Sequence, residues 1–273
     1  MQPDKNKSAI TDRNISIYSP HITDLKYDTC FNEVIDLTYV PHCTHLTFGN
    51  CYNQPTNDLP SSITHLTFGD MYNQPTDQLP SSITHLTFGN SYNQPTLFPP
   101  QITHITFGAH YDQYIDHLPP HITHLKLGFY YNKPINQFPS MIKYLKFGAA
   151  YKQIIPKLPP HLEYLKFGHS YNRPLPTLPH SLVHLKFGNF YNQPTLFPPC
   201  LTRVKFNGSF EPYVNELCKN YYLVSAYTYL DDSSLIMHCD KTDMYYRLQT
   251  HVKNNKHNIY FKSTTLLQLM LFV

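Results

Sequence analysis

The chain has 273 residues, a formal net charge of +3, 41% apolar and 14% charged residues, and 24 prolines. So little charge excludes a disordered polyelectrolyte, and so much proline excludes long helices, because each proline lacks an N–H and crowds the preceding turn. The apolar fraction is enough to bury a core in one large domain or two small ones.

The first residues, MQPDKNKSAITDRNISIY, contain no apolar run of signal-peptide length. No stretch reaches the roughly 18 apolar residues of a membrane span. Residues 1–17 are expected to form a polar arm or partial cap, and the protein is expected in the cytoplasm with no membrane partner. Cys30, Cys43, Cys51, Cys200, Cys218 and Cys239 show no CxxC spacing and are expected to be reduced thiols.

From residue 18 the chain repeats itself. SSITHLTFGDMYNQPTDQLP at 61–80 is followed by SSITHLTFGNSYNQP at 81–95. The Phe of HLTFG recurs as Phe48, Phe68, Phe88, Phe107, Leu127, Phe147, Phe167, Phe187 and Phe206, with Tyr27 as a degenerate first copy. The step is 20 residues, shortened to 19 into Phe107 and Phe206 and lengthened to 21 into Phe48. Ten units therefore span residues 18–210. Within a unit, Ile63, Leu66 and Phe68 follow the L-x-x-L-x-L spacing of leucine-rich repeats. Leu66 and Phe68 share one face of a strand, which leaves His65 and Thr67 on the other. Pro55 and Pro60 exclude a helix in the return path. The glycine after each Phe is expected to end the strand by a positive φ or a close backbone approach. The pattern predicts a mainly β, right-handed solenoid of parallel strands whose rungs bury their apolar residues against their neighbours. The tyrosines from Tyr52 to Tyr191 recur at every rung and are read as core.

This unit resembles the FNIP repeat, a short relative of leucine-rich repeats found in many copies in social amoebae and amoeba-infecting giant viruses. The FNIP tetrad is represented by YNQP at 52–55, 72–75, 92–95 and 191–194, by YNKP at 131–134 and by YNRP at 171–174. YDQY at 111–114 and YKQI at 151–154 depart from it, and FNEV at 31–34 keeps only Phe-Asn. The resemblance covers about two thirds of the chain. It implies an interaction module, in host-cell cytoplasm if the source is viral. Family members often carry an F-box, a helical ubiquitin-ligase adaptor. Only about 17 residues precede the first repeat here, so a ubiquitin-linked role is expected to use ligase components in trans.

Beyond Asn207 the period is lost. Residues 211–273 are expected to be a C-terminal cap, with a short helix near Glu211, strand-like runs such as NIYFKS, and an apolar tail, LLQLMLFV, packed on the domain.

Stacking aligns the outward residues into two ladders. One runs Asp24, His45, His65, His85, His104, His124, Tyr144, Tyr164, His184 and Arg203. The other runs Lys26, Thr47, Thr67, Thr87, Thr106, Lys126, Lys146, Lys166, Lys186 and Lys205. Charge breaks at the same place. Residues 27–125 hold eight acids and no Lys or Arg, whereas 126–207 hold eleven basic residues and one acid. Such asymmetry informs partner choice rather than fold. The predicted binding surface is His65, His85, His104, His124, Tyr144, Tyr164 and His184 with Lys126, Lys146, Lys166, Lys186 and Lys205.

The histidines could ligate a metal or sense pH. The simpler reading is one surface residue copied with its unit, since no Cys or carboxylate completes a ligand set. The lysines could hold an acidic protein segment. Nucleic acid is the disfavoured partner, because the acidic half would repel a long duplex, and opposite halves permit weak head-to-tail self-association. Cys30 and Cys51 occupy equivalent positions on adjacent rungs. No GxSxG, P-loop, HExxH or dinucleotide motif is present, and His238, Cys239 and Asp240 are neighbours in sequence alone. The chain is therefore read as a non-enzymatic protein–protein interaction scaffold without a cofactor.

Overall fold

The computed structural model describes residues 21–37, 40–193, 195–198 and 200–205, and the backbone of four short strands outside them. The chain divides into two compact units, Met1–Lys133 and Pro134–Val273.

The first unit carries β1 (Lys7–Ile10), β2 (Asp24–Tyr27), β3 (His45–Thr47), β4 (His65–Thr67), β5 (His85–Thr87), β6 (His104–Thr106) and β7 (His124–Lys126). Each lies parallel to the next, in the expected register: His65 opposes His85, Leu66 opposes Leu86 and Thr67 opposes Thr87. The second unit carries β8 (Tyr144–Lys146), β9 (Tyr164–Lys166), β10 (His184–Lys186) and β11 (Arg203–Lys205), also parallel and in register. Then come β12 (Tyr227–Tyr229), β13 (Ser234–His238) and β14 (Asn258–Lys262). Strand β14 covers the NIYFK run, pairs antiparallel with β11 at Lys205 and Tyr260, and lies parallel to β13. The ten repeat strands β2–β11 build leucine-rich-repeat-like solenoid turns in each unit, and no helix occurs among the described residues. The helix expected near Glu211, the apolar tail and the Cys239–Asp240 pair lie outside the described residues.

The N-terminal segment adds a strand ahead of the repeats. Lys7–Ile10 forms a strand that pairs Ile10 with Tyr27 in the ladder register. Its step to Tyr27 is 17 residues and its sequence is KSAI, so neither period nor composition marked it.

Each strand is short because turns bound it closely. On one side Ile63 N–H donates to Pro60 O at 3.1 Å, and on the other Tyr72 N–H donates to Gly69 O at 3.3 Å. Between those turns only the central residue and its flanking apolar positions face inward. Ile63, Leu66, Phe68 and Tyr72 are all at most 2% exposed. The core consists of aromatic columns: Phe68 stacks on Tyr72 at 3.8 Å within a rung, and meets Phe88 at 5.7 Å in the next. Burying one such ring stabilises by about 2–3 kcal/mol. The tyrosines are core residues, as their recurrence implied.

The glycines serve close approach. A Cβ on Gly69 would lie 2.0 Å from Gly49 O, and one on Gly89 would lie 1.8 Å from Gly69 O. Neither has a left-handed φ, so of the two expected roles the contact between rungs is the operative one.

The asparagines form a ladder at the surface. Asn53 Oδ1 accepts the Asn73 N–H at 2.9 Å, and Gln74 Nε2 donates to Asn53 O at 3.0 Å. The same links join Asn32 to Asn53, Asn73 to Asn93 and Asn172 to Asn192. YDQY keeps the ladder because a carboxylate also accepts: Asn132 N–H donates to Asp112 Oδ1 at 3.1 Å. At YKQI the acceptor becomes backbone, and Arg173 Nε donates to Lys152 O at 3.1 Å.

The tyrosine hydroxyls divide into two sets. Tyr72 and Tyr92 bond the buried Thr56 and Thr76 one rung earlier, at 2.9 and 2.7 Å. At the same 16-residue offset from Tyr171 the sequence has Ile155 in place of a threonine, and the buried Tyr171 hydroxyl has no hydrogen-bond partner among the described residues. A buried polar group costs more unpaired than absent. Tyr72→Phe is therefore expected to destabilise by about 1–2 kcal/mol, leaving Thr56 unpaired, while Tyr171→Phe is expected to be neutral or stabilising by up to about 1 kcal/mol. Denaturant unfolding of the two variants checks this; equal losses would contradict it.

Candidate functional site

The charge and ladder changes fall around the division between the two units, so the outward surface is taken as one face in each. On each three-residue repeat strand, β3–β11, the middle residue is buried and the flanking two point outward.

In the first unit His45, His65, His85, His104 and His124 form one column of imidazoles. Successive ring centroids lie 4.0–4.1 Å apart with planes 14–17° from parallel. The strand register imposes the spacing, and a threonine fixes each ring. Thr64 Oγ1 lies 2.9 Å from His65 Nδ1 and 3.2 Å from Thr44 O. The same arrangement holds at Thr44, Thr84, Thr103 and Thr123. Thr44 O also accepts two N–H groups, from Thr64 and His65, each at 2.9 Å. The single hydroxyl proton is donated to Thr44 O, and the hydroxyl oxygen then accepts from His65 Nδ1–H, the tautomer that satisfies both contacts. These threonines were not anticipated, although the recurrent T-H pair was a visible signal. Where Tyr replaces His, the preceding residue is Lys143 or Glu163.

Parallel rings aim their nitrogens side by side rather than at one point. Among the described residues no group of three or more His, Cys, Asp or Glu is placed to hold a metal ion.

In the second unit Tyr144 and Tyr164 stack at 4.4 Å with planes 9° apart. His184, which follows Val183 rather than Thr, meets Tyr164 edge-on at 6.3 Å. Arg203 extends this column. Beside it run Lys146, Lys166, Lys186 and Lys205 in register, with Lys186 Nζ 5.5 Å from the Tyr164 ring centroid. No acid sits on β8–β11; the nearby Glu163 pairs with Lys143 at 3.3 Å. Burial, then Arg203 and Lys186, hold His184 below the usual imidazole range. Lys126 ends β7 in the first unit and is exposed. A turn-edge aromatic group that the ladders did not indicate also lies there. Phe129 and Tyr130 are more than half exposed, and Tyr130 stacks on His110 at 5.0 Å.

Burial lowers the pKa of His65, His85 and His104, and neighbouring imidazoles lower it further, with His104 reaching about 4. Asp24, at the start of the column, pulls His65 the other way; Lys26 and Lys126 are the other charged groups on this face among the described residues. The unfolded chain takes up these protons near 6.5, whereas the folded chain does not. Stability is therefore complete above about pH 6.5 and lost as pH falls toward 4. The expected result is a melting temperature flat from pH 8 to 7 and falling below 6.5, with a shallower fall in His85→Asn/His104→Asn. Equal slopes for the two proteins would contradict it.

A family model described as FNIP Repeat matches residues 52–91, 72–108, 92–130, 113–150 and 151–190. No curated protein matches the chain. Among solved structures, the chain is similar to CroV588, a circular leucine-rich-repeat protein from a giant virus. The TM-score is 0.64 and the identity 36%, over 73% of this chain and 32% of that one. YopM from Yersinia enterocolitica WA-314 is similar at a TM-score of 0.51 and 22% identity, over 66% of this chain and 44% of that one, a likeness of fold alone. The chain spans about a third of the length of CroV588. The matched segments together cover residues 52–190, which is half of the chain, and the in-register solenoid is the architecture those repeats build: the chain belongs to the FNIP repeat family.

Proposed function

We propose that the chain is a non-enzymatic protein–protein interaction scaffold, and that the outward face of its second unit receives an acidic segment of a protein partner. The leucine-rich-repeat-like solenoid is a fold commonly used for protein–protein interaction. One observation carries the finer reading. Four successive strands place a cation at the same outward position, with no carboxylate among them. Like charges directly opposite on neighbouring strands destabilise a sheet, and an acidic ligand would relieve that repulsion.

The chemistry beside the lysines suits such a ligand. Tyr144 and Tyr164 offer stacked, half-buried rings with polar tips, the kind of side chain enriched at interface hot spots. Arg203 adds a planar fork able to hold a carboxylate in two hydrogen bonds. Residues 134–205 hold nine basic side chains and one acid, so association is expected to be electrostatically steered and salt-sensitive.

Lys146→Glu/Lys186→Glu is expected to weaken binding of a fluorescent Asp/Glu-rich peptide by about tenfold or more at low salt, with thermal stability unchanged or raised. Unchanged affinity would contradict the proposal. Protein recovered from cell lysate on the wild-type chain should resist nuclease and be lost with the double variant. Recovery abolished by nuclease would indicate nucleic acid instead.

A further inference from the structure

In the first unit the turns after β2 and β3 place Cys30 and Cys51 side by side. Cys51 N–H donates to Thr29 O at 2.8 Å, the same link that joins Met71 to Asn50 and Ser91 to Asp70. Neighbours in this parallel register have Cα atoms about 4.8 Å apart, inside the range a disulfide spans. The rungs are pressed together here, since a Cβ on Gly49 would meet Asp28 O at 1.8 Å. Both thiols are free, with Cys30 exposed and Cys51 half-exposed. Cys30 is among the groups that push the Cys51 thiol up, after burial.

The other described cysteines do not share this arrangement. Cys43 is fully buried, its Sγ is 3.4 Å from His45 O, and burial pushes its thiol up to about 11. Cys200 occupies the position at which Ser62 and Ser82 donate to a carbonyl of the preceding rung, and its own Sγ is directed at His180 O.

We propose that Cys30 and Cys51 form a reversible redox site, a dithiol that a small-molecule disulfide converts into an intrachain disulfide clasping β2 to β3. The thiolate of Cys30, the more exposed partner, attacks one sulfur of the small disulfide. The small disulfide's S–S bond breaks, one small thiolate leaves, and a mixed disulfide forms on Cys30. The thiolate of Cys51 then attacks the Cys30 sulfur, forming the Cys30–Cys51 bond and releasing the second small thiolate. The two cysteines lose two electrons, the small disulfide gains them, and the two thiol protons end on the released thiolates. The raised thiol of Cys51 suits it to the second, intramolecular step, where a high local concentration compensates for a small thiolate fraction. The new bond closes a loop through β2 and β3 and restricts the unfolded chain.

The reduced full-length protein should be incubated with oxidised glutathione, alkylated, and mapped without reduction. The expected product is one linked peptide pair holding Cys30 and Cys51, reversed by dithiothreitol, with the oxidised protein melting a few degrees higher than the reduced. Cys51→Ser, which places there the residue that Ser91 supplies at the equivalent position, should leave Cys30 as a glutathione adduct and abolish the rise. Stable glutathione adducts on both cysteines, or a link from either to another cysteine, would overturn the proposal.

Discussion

The structure depends on the contact between one glycine and the carbonyl of the glycine before it. A single methyl at Gly69 would lie 2.0 Å from Gly49 O, closer than real Cβ atoms come. That contact holds successive rungs at parallel-strand spacing and in strict register. Every other residue of a unit is then forced beside its own counterpart. Phe meets Phe, Tyr meets Tyr, Asn bonds Asn, and imidazole stacks on imidazole.

Such a fold writes its surface chemistry one column at a time. A favourable residue repeated at each rung pays back at each rung, as in the amide ladder, where one side chain satisfies the backbone of the next. A costly residue is repeated too. The lysine column sets like charges beside one another, and in the histidine column burial and neighbouring imidazoles make protonation of His65, His85 and His104 costly. Columns that cost stability yet persist over several rungs are where function is most economically sought. Breaks in a column carry information of their own: Thr gives way to Lys, and the loss of the Thr before His accompanies the change from stacked imidazoles to an edge-on contact at His184.

The ladders, the register and the buried tyrosines were legible in the sequence because a constant step fixes which residues oppose each other. The equivalence of Cys30 and Cys51 followed from the same count. Contacts that run diagonally were not legible. The Thr56–Tyr72 bond joins residues 16 apart, an offset that the 20-residue period does not suggest. The pairing of each Thr hydroxyl with the next His ring was marked only by the recurrent T-H pair, because the threonine lies just ahead of the strand and not within it. The role of glycine was half visible: its position was marked, but the choice between a turn conformation and close approach needed the neighbouring backbone. Strand β1 escaped because its four residues, KSAI, offer neither the period nor the apolar triplet.

The most direct test compares thermal melts of two variants, one lacking residues 61–80 and one carrying Gly69→Ala. The deletion joins Pro60 to Ser81 and restores an unbroken repeat, so it should keep a cooperative melt close to wild type with a smaller unfolding enthalpy. The single added methyl should cost about 3 kcal/mol or more, because neither rung can yield without breaking register. A Gly69→Ala protein as stable as wild type, or more stable than the deletion, would contradict the account.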